Sequence, residues 1–518
     1  MQRMKVMLTG ASGAMGRACL KELTKDEMAF DLLLMCLDTP EDRRVLSAYQ
    51  DHPQIEIAYG DITDAEFVQK LMPHIDLVIH MAALVSPKAD YFPERTMEVN
   101  YGGMENLLAA IAHWDQMDKT RLVSIGTIAQ TGERMPGIHW GRIGDPIKPS
   151  MFDYYAVSKV AAERVLIESG LTYWVSLRQT GIMGPTMASI KDPIMFHNGL
   201  NNVLEYVSDR DSGRMVAHLC QYVANDSLAD SFWGHIYNIG GGASCRLSGY
   251  DMYRGFFSRL GFKDVNAIIE PRLYATHNFH GHFFLDSDTL EDYLHFRQDD
   301  LSYLFDCLMA DLGWQAKLLR GVNRLPFGQK LTTPIIRAIF RRIAKREHGS
   351  LYMVQHKQMD EIEAFWGNMK NWEALPAQVD PKDLFTNWEE EVWIDHGYDD
   401  SLPEEELNLA MVQEAAIFRG GKCLSTHMTV GDWTTPLDFS CSYGHDFKAS
   451  PRLVLEGGHF CPECERRSWN YGQRAQREPF LRQVWAPLHG PEEIREYPKA
   501  FSEATVDAFR QKELPREK

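Results

Sequence analysis

The chain has 518 residues, more than one hydrophobic core accommodates, so two or three domains are expected. Its 44% hydrophobic and 24% charged residues are those of an ordinary globular protein with enough apolar material for large cores. A formal net charge of −18 disfavours general nucleic-acid binding, because a phosphate backbone repels such a protein unless a basic patch is segregated.

No uncharged run reaches the roughly 18 apolar residues that a membrane span needs. Residues Met1-Gln-Arg-Met4 lead straight into a strand-like run without the apolar region of a signal peptide. Of nine cysteines, Cys19, Cys36, Cys220, Cys245 and Cys307 lie singly among apolar neighbours, as reduced buried cysteines do. A cytoplasmic protein is the expectation.

From residue 5 to about 180, short apolar runs alternate with helical periods. Strands are predicted at 5–9, 31–37, 55–59, 76–80, 121–125 and 173–177, with helices at 14–24, 97–113 and 154–168. This alternation predicts an α/β fold, a doubly wound parallel sheet covered on both faces. Residues 181–325 give a mixed signal, with a strand at 235–239 and a Gly240-Gly241-Gly242 turn leading back towards the first domain. Residues 326–410 read as a mostly helical insert or linker. Within it, 333–346 sets Ile335, Ile336, Ile339 and Phe340 against Arg337, Arg341, Arg342 and Lys345. That run is read as a partner-facing or core-packed helix in preference to one lying on a membrane. The acidic stretch 388–407 is expected to be an exposed connection, 411–475 a small domain, and 476–518 a loosely packed polar tail.

The segment Thr9-Gly10-Ala11-Ser12-Gly13-Ala14-Met15-Gly16 follows the first strand and opens the first helix. Gly10 permits a tight turn, Gly13 lets the backbone approach a pyrophosphate, and Gly16 lets helix pack on strand, with the free N–H groups of the helix facing phosphate. Asp38 ends the second strand, where a carboxylate accepts hydrogen bonds from ribose hydroxyls and repels a 2′-phosphate. NAD is therefore favoured over NADP, although Arg43 and Arg44 follow closely. Asp61 ends the third strand and is expected at the adenine amino group, with a turn or helix cap as its alternative.

Tyr155-Ala-Val-Ser-Lys159 lies on a predicted helix, and its spacing puts phenol and ammonium on one face. A nearby cation lowers a phenol's pKa by about 1–3 units, which suits it to acid–base work near neutrality. Thr127, just past the fifth strand, is placed to hydrogen-bond the reacting oxygen, with Ser124 as the alternative. Acid–base help of this kind is worth roughly 10²–10⁴ in rate.

The Gly10/Gly13/Gly16 loop, Asp38, Asp61, His80-Met81-Ala82-Ala83, Asn100, Thr127, Tyr155, Lys159 and Gly184-Pro185 together resemble the extended short-chain dehydrogenases/reductases of the NAD-dependent epimerase/dehydratase type. The resemblance covers about the first 325 residues. It implies a Rossmann core and a smaller substrate lobe, with a dimer packed through helices of the Rossmann domain. It also implies a cofactor site of Gly10, Ser12, Gly13, Ala14, Met15, Gly16, Asp38, Asp61, Ile62, Ala82, Ala83 and Asn100 with Tyr155 and Lys159. Thr127, Tyr155 and Lys159 would be the catalytic set. Ile128 and Ala129 stand where sugar-nucleotide dehydratases carry an acidic pair, which argues against dehydration. The segment 196–213, with Glu205, Asp209, Arg210 and Asp211, matches no nucleotide-sugar pocket.

Cys441-Ser-Tyr-Gly-His445 and Cys461-Pro-Glu-Cys464 form two knuckles whose thiolates and imidazole suit tetrahedral zinc. His459 competes with His445, and Cys423 is spare. Four protein ligands leave no open position, so the metal is structural. The segment from Gly420 to Pro462 resembles treble-clef zinc domains that accompany nucleic-acid enzymes. Lys448, Arg452, Arg466 and Arg467 are nevertheless read as a solvated face.

Three functions follow. The first is an NAD-dependent oxidoreductase that interconverts a secondary alcohol and a ketone. The second is a nucleotide-sugar epimerase using transient oxidation by bound NAD. The third is an NAD-sensing scaffold acting through the zinc domain, which has no need of an activated phenol. The bulky side chains Phe279, Phe283, Phe284, Tyr293 and Phe296 favour the first.

Overall fold

The computed structural model describes residues 3–188, 191–466, 468–499 and 501. Strands β1 (Met4–Thr9), β2 (Phe30–Cys36), β3 (Ile55–Tyr59), β4 (Leu77–His80), β5 (Arg121–Thr127), β6 (Tyr173–Gln179) and β7 (His235–Ile239) form one sheet. Its order is β7-β6-β5-β4-β1-β2-β3, and every pair is parallel. The strands are continuous apolar runs because both faces are covered: Val6, Met7 and Leu8 have no exposed surface. Strand order reverses between β1 and β4, which opens a crevice at their carboxyl ends. The fold is the expected Rossmann-like α/β sheet with flanking helices.

Helices α1 (Ala14–Leu23), α2 (Gly103–His113), α3 (Tyr154–Ile167) and α4 (Asp209–Ala224) pack around the sheet. Gly213 of α4 lies so close to α1 that a Cβ there would meet the Ala18 carbonyl at 2.7 Å. The single helix predicted over 97–113 is broken. A π-helical turn, Glu98–Gly102, separates Pro93–Met97 from α2. Within this turn the Asn100 amide ties to both Leu84 backbone groups and to Ser158.

Helices α5 (Trp314–Arg324) and α6 (Gly328–Ala344) lead into three shorter helices ending at Ala374. The expectation of a mostly helical 326–410 fails beyond that point, where only two single-turn 3₁₀ helices interrupt irregular chain before α7 (Leu409–Phe418). The acidic stretch 388–407 is also more than an exposed connection. Ile394, His396 and Leu407 are buried, and the Trp388 carbonyl faces the His139 ring and accepts from the Trp140 indole.

Strands β8 (Lys422–Cys423), β9 (Leu437–Ser440) and β10 (Asp446–Ala449) form a small antiparallel sheet, followed by the short helix Pro462–Arg466. The expected polar tail beginning at 476 contains helix α8 (Pro479–Trp485), whose Phe480, Leu481, Val484 and Trp485 are buried. They share a core with Met97, Tyr101 and Val157 of the nucleotide-binding domain. Likewise Leu107, Ile111 and Leu166 share a core with Val412, Leu453 and Phe460. The helices through which the resemblance implied a dimer are thus covered by the chain's own C-terminal third. A dimer through that face would have to displace it. Among the described residues no helix is long and apolar enough to cross a membrane.

Candidate functional site

The glycine loop leaves β1 through Gly10, whose φ of 71° favours glycine and whose Cβ would lie 2.8 Å from Ala82 backbone. At Gly16 a Cβ would meet the Gly10 carbonyl at 2.4 Å, so strand and helix touch there. Gly13 and Ala14 are exposed at the start of α1, Ser12 is half-buried, and Met15 is buried in the core. Gly13 is the N-cap of α1 and supplies no capping side chain, so the N–H groups of the first turn face outward. Beside them, the Thr9 hydroxyl accepts from the Met81 and Ala82 amides and contacts the His80 ring at 2.9 Å. Ala82 and Ala83 are part-exposed in the same crevice. This cradle of bare backbone fits a dinucleotide pyrophosphate.

Asp38 lies at the end of β2, with Arg43 Nε donating to one carboxylate oxygen at 2.5 Å. That hydrogen bond holds the Asp38 carboxyl below its ordinary pKa. The Arg43 guanidinium also lies over the Tyr59 ring at 4.1 Å. Carboxylate and guanidinium therefore stand together where a ribose 2′ substituent is read. Asp61 follows β3, where its carboxylate accepts from Arg95 at 2.6 Å and from the Thr63 amide at 3.0 Å. Ile62 is buried against Gly103.

At the end of β5, Thr127 caps the turn Ile128–Thr131, accepting from the Ala129 amide while Gln130 returns to the Thr127 N–H. Its hydroxyl lies beside the Tyr155 phenol. Burial and the Asp153 carboxylate push that phenol above its ordinary pKa, and the Thr127 side chain opposes them. Lys159 is buried, donates to the Ile125 carbonyl at 2.8 Å, and is pushed down to about 8 by desolvation. The three side chains expected to act together are thus gathered at the carboxyl edge of the sheet, next to the glycine loop. Ser124, the alternative to Thr127, is buried within β5.

Several neighbours of this site escaped sequence reasoning. Asp90 accepts from the Tyr154 amide, and burial together with Asp153 pushes its carboxyl to about 7. His280 stands 3.4 Å from Asp153. Asp153 had a signal, being an N-cap residue directly before the Tyr155–Lys159 helix; Asp90 and His280 had none. The loop between Thr127 and Tyr155 is clamped by distant chain. His489 meets Glu133 at 3.4 Å, His396 meets Asp145 at 3.1 Å, and the Tyr471 hydroxyl donates to the Pro149 carbonyl at 2.7 Å. Within 196–213, Glu205 is buried and accepts from Gly242, Arg246 and Ser287. Phe283, Phe284 and Phe296 pack in cores, so they do not argue for an apolar pocket.

Cys441, His445, Cys461 and Cys464 converge in the C-terminal third. The three sulfurs lie 3.4, 3.5 and 3.4 Å from His445 Nδ1, and Cys441 and Cys464 Sγ are 3.8 Å apart. A tetrahedron with metal–sulfur bonds of about 2.3 Å and a metal–nitrogen bond of about 2.0 Å has edges of roughly 3.8 and 3.5 Å. The donor set therefore fits zinc in both chemistry and spacing. His459 is not a fourth donor; it lies 3.1 Å from Glu163 of α3. Cys423 stays outside the cluster, on β8. Lys448 pairs with Asp438, and Arg452 with Glu404 and Glu456, so these cations are spent in ion pairs. Arg466 is largely buried, and Arg467 lies outside the described residues. A second group, His235, Glu404 and Glu456, surrounds the Arg452 guanidinium.

Comparison with known proteins places this geometry. The chain is 31% identical over 173 residues to a 3 beta-hydroxysteroid dehydrogenase/Delta 5-->4-isomerase of Mycobacterium tuberculosis, covering 31% of this chain and 44% of that protein. It is 25% identical over 108 residues to a UDP-glucose 4-epimerase of Rickettsia felis, covering 20% and 32%. The chain thus spans less than about half the length of these curated relatives. A solved dTDP-glucose 4,6-dehydratase of Streptomyces venezuelae, with NAD bound, superposes with a TM-score of 0.49 at 21% identity, covering 60% of this chain and 98% of that one. Residues 6–221, which hold the glycine loop and the Thr127, Tyr155 and Lys159 side chains, match the model of the NAD dependent epimerase/dehydratase family.

Proposed function

We propose that the protein is an NAD-dependent oxidoreductase that interconverts a secondary alcohol and a ketone, with a structural zinc ion in its C-terminal third. The observation that carries the reading is the Thr127 side chain beside the Tyr155 phenol, with the buried Lys159 ammonium one helical turn along α3. NAD, held by the glycine loop and Asp38, would supply the hydride acceptor and donor. Thr127 fixes the substrate oxygen. Tyr155 takes the hydroxyl proton as the alcohol is oxidised and returns it as the ketone is reduced. Lys159 keeps positive charge close to the phenol and so favours its ionised form.

The similarity to a hydroxysteroid dehydrogenase over 173 residues supports an apolar secondary alcohol as the substrate class. Hydroxysteroids and smaller hydrophobic alcohols, incubated with NAD, are expected to yield NADH in proportion to ketone. A second reading, epimerisation of a nucleotide sugar, draws support from the UDP-glucose 4-epimerase similarity. Interconversion of nucleotide sugars without net NADH, by protein that retains NAD on purification, would favour it instead.

A further inference from the structure

Helices α5 and α6 are apolar on two faces. Inward, Leu319, Ile336, Phe340 and Ile343 pack with Phe196 and Tyr253 of the substrate lobe. Outward, Trp314 is 71% exposed and Leu318 follows it one turn later on α5. On α6, Leu331, Ile335 and Ile339 repeat every fourth residue, with Leu331 68% exposed. The turn between the helices presents Leu325 and Phe327, the latter 71% exposed. Phe327 has a φ of 69°, a conformation costly for a bulky side chain, so the backbone is strained where this ring meets water.

The charge around this face is one-sided. Residues 313–346 carry nine lysines and arginines and no aspartate or glutamate, in a chain of net charge −18. Arg337 and Arg341 pair with Glu270 from the neighbouring segment. Together with Arg342 and Lys345 they border an open groove of about 700 Å³ with no carboxylate in its wall.

We propose that α5 and α6 dock the protein on the surface of an anionic phospholipid bilayer. The helices would lie in the interface, with Phe327, Leu331 and Trp314 in the acyl boundary and the flanking cations at lipid phosphates. An apolar stripe bordered by lysine and arginine, with no acidic residue, is the pattern of an interfacial helix. The bare side chains project from convex helices and a turn. A fluid bilayer moulds itself to such projections, whereas a protein partner needs a matching pocket for each and a carboxylate for each cation. This inference stands apart from the redox reading and does not depend on it.

Flotation of the full-length protein with vesicles tests it directly. The protein should float with phosphatidylcholine vesicles containing roughly one third phosphatidylglycerol and stay in solution with phosphatidylcholine alone. The double variant Phe327→Ser, Leu331→Ser should lose binding by about tenfold or more, and Arg342→Gln, Lys345→Gln should lose it most at low salt, the difference from wild type shrinking as salt is raised. Both pairs are exposed, so thermal unfolding of the variants should match wild type. Three results would overturn the proposal. Wild type may fail to float with the anionic vesicles at low salt. The Phe327, Leu331 variant may float like wild type. Or light scattering may show self-association that this variant abolishes, without any vesicle binding, which would assign the face to a second copy of the chain.

Discussion

Arg164 donates to the Glu465 carboxylate at 2.9 Å and to the Phe460 carbonyl at 3.0 Å. Arg164 lies on α3, which carries Tyr155 and Lys159; Phe460 and Glu465 flank the two knuckle cysteines. One turn of the candidate metal site is thus hydrogen-bonded to the helix of the candidate catalytic residues, and the adjacent Glu163–His459 contact repeats the link.

Removing the metal should therefore be felt at the other site. Purified protein is expected to hold about one zinc per chain. A strong chelator, or Cys461→Ser, should lower the unfolding midpoint and weaken cofactor binding together, because binding energy at a structural site is folding energy. A metal-free protein of unchanged stability would contradict the assignment.

Arg178 on β6 and Glu163 on α3 form a buried ion pair, joined by Ser176 and by the Gly457 carbonyl. Arg178→Met leaves the Glu163 carboxylate buried with only Ser176 and His459 as partners. A loss of about 3–5 kcal/mol is expected in urea unfolding. A loss within about 0.5 kcal/mol would show that the pair contributes little.

Lys159 has its pKa pushed down to about 8, from an ordinary value of 10.5. Below about 8 the ammonium is intact; above it, the charge at Lys159 is lost. Ketone reduction should decline above pH 8, and Lys159→Arg should move that limb upward in whatever activity it retains. Stability has the opposite sign. The folded state gives up this proton more readily than the unfolded chain, so the group's contribution to stability rises as pH climbs from about 8 to 10.5. Rate profiles and melts across that window check both.

Asp38 and Arg43 are hydrogen-bonded just past β2, where Rossmann folds read the ribose 2′ substituent. Asp38→Ala should weaken NAD by about tenfold or more and free Arg43 for a 2′-phosphate, narrowing or reversing the preference over NADP. Equal loss for both cofactors, measured by titration, would remove Asp38 from the ribose contact.

The sheet was legible in the sequence because buried parallel strands are continuous apolar runs. Observed β3 and β7 coincide with the predicted 55–59 and 235–239, and the glycine loop lies where its spacing implied. Tyr155 and Lys159 lie on one helix, as the periodicity predicted. What stayed hidden depends on tertiary contact. No local pattern shows that Glu98–Gly102 widens to a π turn to let Asn100 reach Leu84 and Ser158. Nor does composition show that the charged stretches before and after the metal centre bury His396, His489 and Trp485 against the loop preceding α3. The partner that Asp61 takes, Arg95, is 34 positions away and equally invisible to local pattern.

The central claim is that Tyr155 is the acid–base group of a hydride-transfer site. The direct measurement compares wild type with Tyr155→Phe in NAD binding, by titration, and in turnover, by NADH absorbance with an apolar secondary alcohol. The account predicts cofactor affinity within about threefold of wild type and a rate reduced by roughly 10²–10⁴. Turnover by Tyr155→Phe at the wild-type rate would contradict it.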